Sequence, residues 1–427
     1  MQAGAHGAYV GADQKGAQVR LYRIIMRAIL PLLLAYLLVQ RLRGLVGPGA
    51  GRARLGLTAP RADVWLHGAS NGELTSVRPL LAQIIAARPG LAVLVTSNTE
   101  TARQMVADWG LPGVQAQLAP FDTPGCVARL LARTQAKALI LLENELWPER
   151  IARMPGPVIG LGARMSAGSA RNWQRLAPHL IAATLHRFAL VSAQDAGSEA
   201  RLCALGLPAD RLAPRLMLKA AALQADPVPP PFPSPSPRHR ILLAASTHEG
   251  EEDIMLDAFM AARAQFDLLI LAPRHPRRSA AVAAMIAARG LDFAIRSQGE
   301  TPGPGTAVYL ADTLGEMGAW YGMAGATVIG GSFADRGGHT PFEPAAHGSA
   351  LLHGPSTSNF LEIFQHLDQA EGAISVANVQ GLGLALAGLN ADLQARLAAQ
   401  ARQVLAGGQD TAALLTRVLA LIDQARG

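Results

Sequence analysis

The chain has 427 residues, half of them apolar and 16% charged, which is enough for two α/β domains with complete hydrophobic cores. Its two cysteines, Cys126 and Cys203, argue against a disulfide framework and against a cysteine-based metal centre. The net charge of +7 favours an anionic substrate or an anionic membrane surface, whereas scattered arginines and few aromatic residues argue against nucleic acid.

Residues 1–55 are predicted to form a disordered start, through Gln18, and then a membrane-anchor helix. The apolar run Ala28–Val39 lies between arginines on both sides and is shorter than the roughly 20 residues of a full span. Such a segment is typical of a helix that lies on an anionic bilayer or dips into it. A signal peptide and a buried N-terminal helix are the alternatives.

From Ala62 onwards, short apolar runs alternate with helical stretches, which is the pattern of a parallel sheet. The predicted strands are Val64–His67, Ala92–Ser97, Ala138–Leu142, Val158–Gly162, Phe188–Ser192, Ile241–Ala245, Leu268–Ala272, Phe293–Arg296, Val308–Leu310, Thr327–Ile329 and Leu351–His353. The segment 226–237 is too rich in proline for helix or sheet and is predicted to be a stiff linker. We therefore predict two open α/β domains, over residues 56–225 and 238–427, with ligands in a cleft at the carboxyl ends of the strands.

Polar side chains follow several strands of the first domain. Glu73 lies where a strand turns through small residues into a helix, and a helix N-terminus favours an ionised carboxylate that suits a general base. The alternative is a glutamate that only caps the helix. Glu143 and Glu145 could serve acid–base chemistry or a metal, but no histidine is near them in sequence. Arg164 follows the next strand and is a candidate anion clamp.

The second domain contains the stretch Ala326–Phe360, in which a buried strand leads into two glycine pairs. Thr340 and Pro341 resemble an N-cap followed by proline at the first helical position, so the helix N-terminus would face the glycine turn as an anion site. Glu343 would lie in the first turn, within reach of a ribose. The alternative is that the glycines serve turns alone.

Three further strand ends of this domain carry candidate ligand groups. Ser246 and Thr247 are placed to hold a phosphate, and Arg274 begins an electropositive run. The turn at Gly315 and Glu316 has backbone groups that could read a base. The sequence has no GxxxxGK[ST], HExxH or GxSxG motif, and no GxGxxG follows the first strand. P-loop enzymes, zinc and serine hydrolases and dehydrogenases are therefore disfavoured.

Seven motifs occur in one fixed order. They are HGASNGE (67–73), ENELWP (143–148), GARMS (162–166), STHEGEE (246–252), PRHPRR (273–278), DTLGEM (312–317) and GGHTPFEPAAHG (337–348). Together they resemble the Kdo transferase family, which moves 3-deoxy-D-manno-octulosonic acid from CMP-Kdo onto the lipid A precursor. The similarity extends from about Tyr22 to about Ala370.

The resemblance implies a GT-B fold of two Rossmann-like domains, with acceptor in the first and nucleotide sugar in the second. It also implies an inverting reaction without metal or other cofactor, and a position at the cytoplasmic face of the inner membrane. Glu73 would be the general base, Arg274 would contact the CMP phosphate and Glu343 the ribose. The implied donor-binding set is Ser246, Thr247, Arg274, His275, Gly315, Glu316, Gly338, His339, Thr340, Glu343 and Asn359. The implied set for the acceptor side or other parts of the cleft is Ser70, Asn71, Glu143, Glu145, Arg164 and Lys219.

The chain departs from the family pattern at four places. Leu216 and Met217 replace Gly-Asn before Leu218 and Lys219. The other departures are Asn144 for Thr, Glu249 for Pro and Thr340 for Asn. Two alternatives stay open: a divergent membrane-associated transferase that uses another nucleotide sugar or another acceptor, and a non-catalytic nucleotide-sugar-binding protein.

Overall fold

The structure is a computed structural model that describes residues 3–224, 228–406 and 411–427. The chain divides into two compact units, with the boundary between Leu218 and Lys219. The C-terminal helix belongs to the first unit, whereas the sequence assigned everything after 238 to the second. Each unit is built on one parallel sheet.

Three helices precede the first strand: α1 (Ala3–Ala28), α2 (Leu30–Leu42) and α3 (Ala50–Arg54). The sequence predicted disorder through Gln18, whereas the structure has a helix from Ala3; Met1 and Gln2 lie outside the described residues. The stretch Gly16–Leu42 is long and apolar enough to cross a membrane, and its apolar window is not buried in the protein.

The first unit contains a six-stranded parallel sheet in the order β3-β2-β1-β4-β5-β6. Its strands are β1 (Val64–His67), β2 (Val93–Ser97), β3 (Val114–Leu118), β4 (Ala138–Leu142), β5 (Val158–Ala163) and β6 (Phe188–Ala193). The sequence predicted five of them. It missed the edge strand β3, where two glutamines interrupt the apolar run and most side chains are not buried.

Helices connect these strands, and most begin directly after a capping side chain. They are α4 (Asn71–Ala87), α5 (Glu100–Ala107), α6 (Pro124–Thr134), α7 (Pro148–Arg153), α8 (Ala167–Leu176), α9 (Pro178–Leu185) and α10 (Ala196–Ala204). Ser70, Thr99 and Thr123 each accept a bond from a first-turn backbone N–H. These caps fix the helix starts at the carboxyl ends of the strands.

The second unit contains a seven-stranded parallel sheet in the order β13-β12-β11-β7-β8-β10-β9. Its strands are β7 (Ile241–Thr247), β8 (Leu268–Pro273), β9 (Phe293–Ile295), β10 (Val308–Leu310), β11 (Ala326–Ile329), β12 (Ala350–His353) and β13 (Ala373–Ser375). Its helices are α11 (Glu251–Ala261), α12 (Ser279–Ala288), α13 (Met317–Met323), α14 (Phe342–Ala346), α15 (Leu361–Gln369), α16 (Val379–Ala387) and α17 (Ala391–Ala406). The sequence missed β13, which has three residues at the sheet edge.

The last helix, α18 (Thr411–Arg426), returns to the first unit. Its residues Leu414, Val418 and Ile422 are buried in the same core as strands β1 and β4. Short 3-10 turns lie at Ala209–Arg211, Leu218–Gln224, Arg238–Arg240, Pro276–Arg278 and Arg296–Gln298. The first unit's core is thus completed by the end of the chain.

The proline-rich segment is part of the second unit rather than a free linker. From Val228 onwards it has neither helix nor strand, as predicted, and residues 226 and 227 lie outside the described part. Phe232 is buried, with its ring centroid 5.1 Å from that of Tyr309 and 5.9 Å from that of Trp320. Phe232 therefore packs the proline-rich segment against the core of the second unit.

Candidate active site

Glu73 lies in a tight turn between β1 and α4. Its carboxylate accepts a bond from the Ala69 backbone N–H at 2.8 Å and from the Ser70 hydroxyl at 3.1 Å. Ser70 in turn caps the helix by accepting from the Glu73 N–H at 3.5 Å. This is a capping arrangement, so Glu73 does cap the helix. That role is compatible with a catalytic one.

The surroundings raise the pKa of Glu73 to about 7. Burial is the main cause, and the carboxylates of Glu143 and Glu145 add to it, while the bonds from Ala69 and Ser70 oppose it. The sequence predicted that the helix dipole would keep this group ionised; the net effect has the opposite sign. A carboxylate with a pKa near neutrality is well matched to general-base chemistry.

Glu145 belongs to a buried hydrogen-bond chain that the sequence did not predict. His67 Nε2 lies 2.8 Å from Glu145 Oε2, and the Trp147 indole donates to the same oxygen at 2.5 Å. Burial lowers the pKa of His67 to about 4, so the imidazole is neutral and donates from Nε2. Burial also opposes ionisation of Glu145, but the bonds from His67 and Trp147 bring its pKa below the usual range.

The neutral form of His67 requires Nδ1 to be an acceptor. Thr96 Oγ1, at 2.9 Å from Nδ1, is the hydroxyl that can donate to it, and Thr96 itself accepts from the Trp65 indole at 2.8 Å. The expectation that no histidine lies near the carboxylates is therefore wrong, because β1 and β4 are neighbours in the sheet. The network holds Glu145 in place beside Glu73.

Glu143 lies directly after β4 and has a left-handed backbone, with φ of 45°. Its carbonyl accepts from the Arg164 N–H at 3.2 Å, which joins two predicted site residues from adjacent strands. Asn71, exposed at the start of α4, accepts from the Thr101 hydroxyl at 3.2 Å. A strained non-glycine residue at a strand end is typical of a functional turn. The structure thus brings together five of the six predicted acceptor-side residues at one sheet edge: Ser70, Asn71, Glu143, Glu145 and Arg164.

Arg150 is a site-adjacent residue that the sequence did not single out. Its side chain is 2% exposed, and its guanidinium carbon lies 5.0 Å from the ring centroid of Trp147 and 5.8 Å from that of Trp65. Nη2 donates to the Pro120 carbonyl at 2.8 Å, whereas Nε and Nη1 have no hydrogen-bond partner. Its position within ENELWPER, two residues after the tryptophan-proline pair, was the available signal.

In the second unit, one buried carboxylate organises the glycine-rich turn. Glu251, at the start of α11, accepts from the backbone N–H groups of His248 at 2.9 Å, Gly331 at 2.7 Å and Phe333 at 2.9 Å. Gly330 cannot carry a side chain, since a Cβ there would lie 2.5 Å from the Ala245 carbonyl. These contacts place the turn against the carboxyl ends of β7 and β11.

Two histidines meet at this turn. The Nε2 atoms of His248 and His339 are 2.9 Å apart, and their rings stack at an interplanar angle of 9°. Burial, then His248 and Arg274, lower the pKa of His339 to about 4. Both rings are therefore neutral near pH 7, with one nitrogen donating and the other accepting. Arg274 is exposed and supplies positive potential to this pair.

Glu343 lies in the short helix α14, which begins at Phe342, one residue later than predicted. The predicted N-cap at Thr340 is wrong, since Pro341 is the N-cap residue; the Thr340 hydroxyl accepts from the Phe342 N–H at 3.3 Å in a turn that precedes the helix. Burial raises the pKa of Glu343 although its side chain keeps solvent contact, and Lys219 opposes this shift. The Lys219 ammonium lies 5.1 Å from the Phe360 ring, within the second unit.

Several predicted donor-site side chains are occupied by protein partners. Thr247 donates to the buried Glu252 at 3.3 Å, and Glu316 forms an ion pair with Arg296 at 2.6 Å. The Asn359 amide donates to the Arg336 carbonyl at 2.7 Å and to the Gly338 carbonyl at 3.1 Å. These three side chains shape the turns, so any ligand contact there falls to the backbone and to neighbours such as Ser246 and His275.

Among the described residues, no three His, Cys, Asp or Glu side chains come together as metal ligands do. Ser246 is a second non-glycine residue with a left-handed backbone, at φ of 56°, and it lies near the end of β7. Of the four described non-glycine residues with a left-handed backbone, Gln135 and Glu371 follow helices, whereas Glu143 and Ser246 lie at the carboxyl edges where ligands bind in open α/β sheets.

Comparison with solved structures establishes the fold. A putative UDP-N-acetylglucosamine 2-epimerase from Listeria monocytogenes is 14% identical with a TM-score of 0.57, covering 85% of this chain and 96% of its own. A glycosyltransferase from Rickettsia africae is 10% identical with a TM-score of 0.54, covering 86% and 99%. The predicted GT-B class of two Rossmann-like units is confirmed.

Comparison of sequences establishes the family. A family model described as 3-Deoxy-D-manno-octulosonic-acid transferase (kdotransferase) matches residues 49–222. The 3-deoxy-D-manno-octulosonic acid transferases of Bordetella pertussis and Haemophilus influenzae are 36% and 32% identical, over 73% and 74% of this chain and 75% and 76% of theirs. A probable mitochondrial relative from Arabidopsis thaliana is 31% identical over 84% of each chain. This chain therefore belongs to the 3-deoxy-D-manno-octulosonic acid transferase family.

Proposed function

We propose that this protein transfers Kdo from CMP-Kdo to the lipid A precursor lipid IVA, in lipopolysaccharide biosynthesis, with inversion and without a metal. One observation carries the catalytic assignment. Glu73 is a carboxylate with a pKa of about 7, held in a fixed turn beside two further carboxylates at the carboxyl edge of the sheet. Family membership supplies the donor and acceptor.

The reaction needs a base on the acceptor and a stabilised leaving group on the donor. Ionised Glu73 takes the proton of an acceptor hydroxyl while that oxygen bonds to the anomeric carbon of Kdo. The bond from the anomeric carbon to the CMP phosphate oxygen breaks, and its electron pair leaves with CMP. A direct displacement of this kind inverts the anomeric configuration.

The second unit offers donors for the departing phosphate. Arg274 is exposed at the end of β8 and acts on the His248–His339 pair through its charge. We assign it to the CMP phosphate, together with His275 and the backbone N–H of Ser246. Glu343 is assigned to the ribose hydroxyls, since it is solvent-accessible and lies in the first turn of α14.

We place the protein at the cytoplasmic face of the inner membrane. The helical stretch Gly16–Leu42 is apolar and carries exposed Leu32, Leu38 and Leu42. Arginines flank it on both sides, which fits an anionic phospholipid surface. The net charge of +7 also fits two anionic substrates.

Mass spectrometry of lipid IVA incubated with CMP-Kdo and the purified protein tests the proposal. We expect products heavier by one or more Kdo units, undiminished by a chelator, and no product with Glu73→Gln. A nucleotide screen by thermal shift separates the alternatives. Stabilisation by UDP or GDP instead of CMP indicates another donor, and CMP binding without turnover of any donor indicates a binding protein.

A further inference from the structure

A cavity of about 590 Å³ lies in the first unit, between the N-terminal helices and the sheet. One wall consists of apolar side chains of α1 and α2, including Met26, Ile29 and Leu33. The opposite wall consists of the loops after β2 and β3, including Asn98 and Phe121. We call this space the helix-side cavity; its volume lies within the range of roughly 300–1,000 Å³ of small-ligand sites.

The deep end of the helix-side cavity is cationic. Arg54 and Arg150 both line it. Burial, and then repulsion from Arg150, lowers the pKa of Arg54 to about 10. Arg54 donates to the carbonyls of Ala119 at 3.0 Å and Asn98 at 2.5 Å. Arg150 Nε and Nη1 are buried and have no hydrogen-bond partner. Leaving such donors unsatisfied is costly, so a ligand that accepts from them would be stabilised.

The carboxylates at the cavity balance the two guanidinium charges but leave two donors of Arg150 without a hydrogen bond. Asp122 Oδ2 accepts from the Tyr22 hydroxyl at 2.7 Å and from a backbone N–H at 2.9 Å. Its Oδ1 accepts from the backbone N–H of Arg150 at 2.9 Å and lies 3.6 Å from Nε of the same residue. Glu100 pairs with Arg103 at 2.7 Å. The lining therefore combines an apolar wall with two arginines and two carboxylates, and Arg150 Nε and Nη1 keep their capacity to donate.

The loops that line the helix-side cavity are hydrogen-bonded to the turn that carries Glu73. Asn98 donates from its N–H to the Ala69 carbonyl at 3.2 Å, and the Thr101 hydroxyl donates to Asn71 at 3.2 Å. Ala69 is the residue whose N–H bonds the Glu73 carboxylate. Trp147 lines the cavity and bonds Glu145 on its other side. The cavity and the proposed base thus share one set of loops.

We propose that the helix-side cavity is an acyl-chain subsite for a phosphorylated glycolipid acceptor. One acyl chain lies against the apolar faces of α1 and α2, and Arg54 and Arg150 face an anionic group of the same lipid. The chain enters from the bilayer side of the helices while the sugar reaches Glu73. This inference rests on the proposed function, since it names how that acceptor is held.

A matched pair of variants on one helix tests the subsite. Leu33 lines the cavity, whereas Leu32 is 70% exposed on the same helix. We expect Leu33→Trp to fill the cavity and to raise KM for tetra-acylated lipid IVA at least tenfold, with kcat and CMP affinity within twofold of wild type. Leu32→Trp should match wild type. On a fully deacylated, bisphosphorylated disaccharide acceptor, the two variants and wild type should have equal KM. Equal KM of both variants for lipid IVA would overturn the proposal.

The charged end is tested by removing one guanidinium. Arg54→Met should weaken binding of bisphosphorylated lipid IVA about tenfold and leave its dephosphorylated analogue unchanged, since the lost contact is charge-assisted. Equal weakening of both lipids would show that no anionic group of the lipid binds at Arg54. Each two methylenes removed from the acyl chains should cost up to about tenfold in affinity for wild type, and less for Leu33→Trp.

A binding measurement separates this inference from the proposed function. Lipid IVA with a nitroxide on an acyl chain should quench Trp147 in wild type, and the quenching should be lost in Trp147→Phe. If no Kdo is transferred but this quenching occurs, the function fails and the lipid subsite stands. If transfer occurs without quenching, the subsite fails. Stronger quenching by nitroxide-labelled phosphatidylglycerol would assign the cavity to a membrane phospholipid and overturn the acceptor assignment.

Discussion

Glu73 is subject to opposing influences within a few ångströms. The Ala69 N–H and the Ser70 hydroxyl stabilise its charge, while burial and the carboxylates of Glu143 and Glu145 destabilise it. The second group prevails, so the carboxylate exchanges its proton near neutral pH. Glu73 therefore caps a helix and also has a pKa near neutrality, which suits a general base.

Glu73→Gln should abolish transfer and leave CMP affinity within a few-fold. It should also stabilise the fold at pH 8, because the folded-state pKa of about 7 lies above the ordinary 4.5 and wild-type stability falls as pH rises through that window. The expected gain is on the order of 1–3 kcal/mol, since glutamine keeps the capping box. Urea unfolding at pH 4 and pH 8 measures it. Equal stability of both proteins at pH 8 would mean that Glu73 is not strained in its ionised form.

The pH dependence of transfer should report the ionisation of Glu73, and the neighbouring carboxylates should shift it. We expect kcat/KM to rise with pH through about 7, as Glu73 loses its proton. Glu143→Gln removes one of the charges that raise this pKa, so the rise should move to lower pH. Initial rates between pH 5 and 9 test this. An unmoved profile would assign the titration to another group.

Arg274 and Glu343 should act on different parts of the donor. Arg274→Ala should weaken CMP by about 2–3 kcal/mol and slow transfer further, because phosphate charge grows in the transition state. Glu343→Ala should weaken CMP far more than 2′,3′-dideoxy-CMP, which lacks the partner hydroxyls. Calorimetry with both nucleotides separates the roles. Equal losses for the two nucleotides in Glu343→Ala would refute the ribose assignment.

At the scale of elements, α1 is held by side-chain contacts as well as by its apolar face. Tyr22 bonds Asp122 at 2.7 Å, Arg23 bonds Glu149 at 2.8 Å, and the Gln18 side chain accepts two backbone N–H bonds at the start of α9. These contacts lie at the N-termini of α7 and α9. The helix is therefore positioned on the unit before any membrane contributes.

Tyr22→Phe should loosen α1 by about 1 kcal/mol, since it leaves the buried Asp122 with one bond fewer. Limited proteolysis of the detergent-solubilised protein should then cut within α1 several-fold faster. Tyr36→Phe is the control, because that hydroxyl bonds Gln40 of its own exposed helix face at 2.7 Å. Equal cleavage rates in the two variants would show that the Asp122 bond does not hold the helix.

The sequence predicted most of the elements and fewer of the contacts. Long apolar strands such as Ala138–Leu142 were found, because continuous buried runs have a clear signal. The edge strand Val114–Leu118 was missed because its two glutamines leave no continuous apolar run and most of its side chains are not buried. The His67–Glu145 bond joins residues 78 apart and depends on the pairing of β1 with β4, which periodicity does not encode. Arg150 was missed for the same reason, since its burial depends on tryptophans from two segments.

At the scale of the whole molecule, the chain leaves the first unit and returns to it. Ile422 of α18 is 1% exposed in the first unit's core. Ile422→Ala should therefore cost about 2–5 kcal/mol and weaken strands β1 and β4, which lie more than 280 residues earlier. Hydrogen exchange should show lost protection there and unchanged protection in β7 and β8. The exposed Gln424→Ala is the matched control, and lost protection confined to the second unit would contradict the assignment of α18.

The return of α18 also sets the order in which the protein becomes complete during synthesis. The residues that fill the first unit's core, Leu414, Val418 and Ile422, leave the ribosome last, after the whole second unit. The second sheet has all its strands by Ser375 and can mature while the nascent first unit still exposes apolar surface. Meanwhile the apolar N-terminal helices are already available to the bilayer. The N-terminal helices thus emerge before the first unit can close, and that unit can complete its core only once α18 has been synthesised.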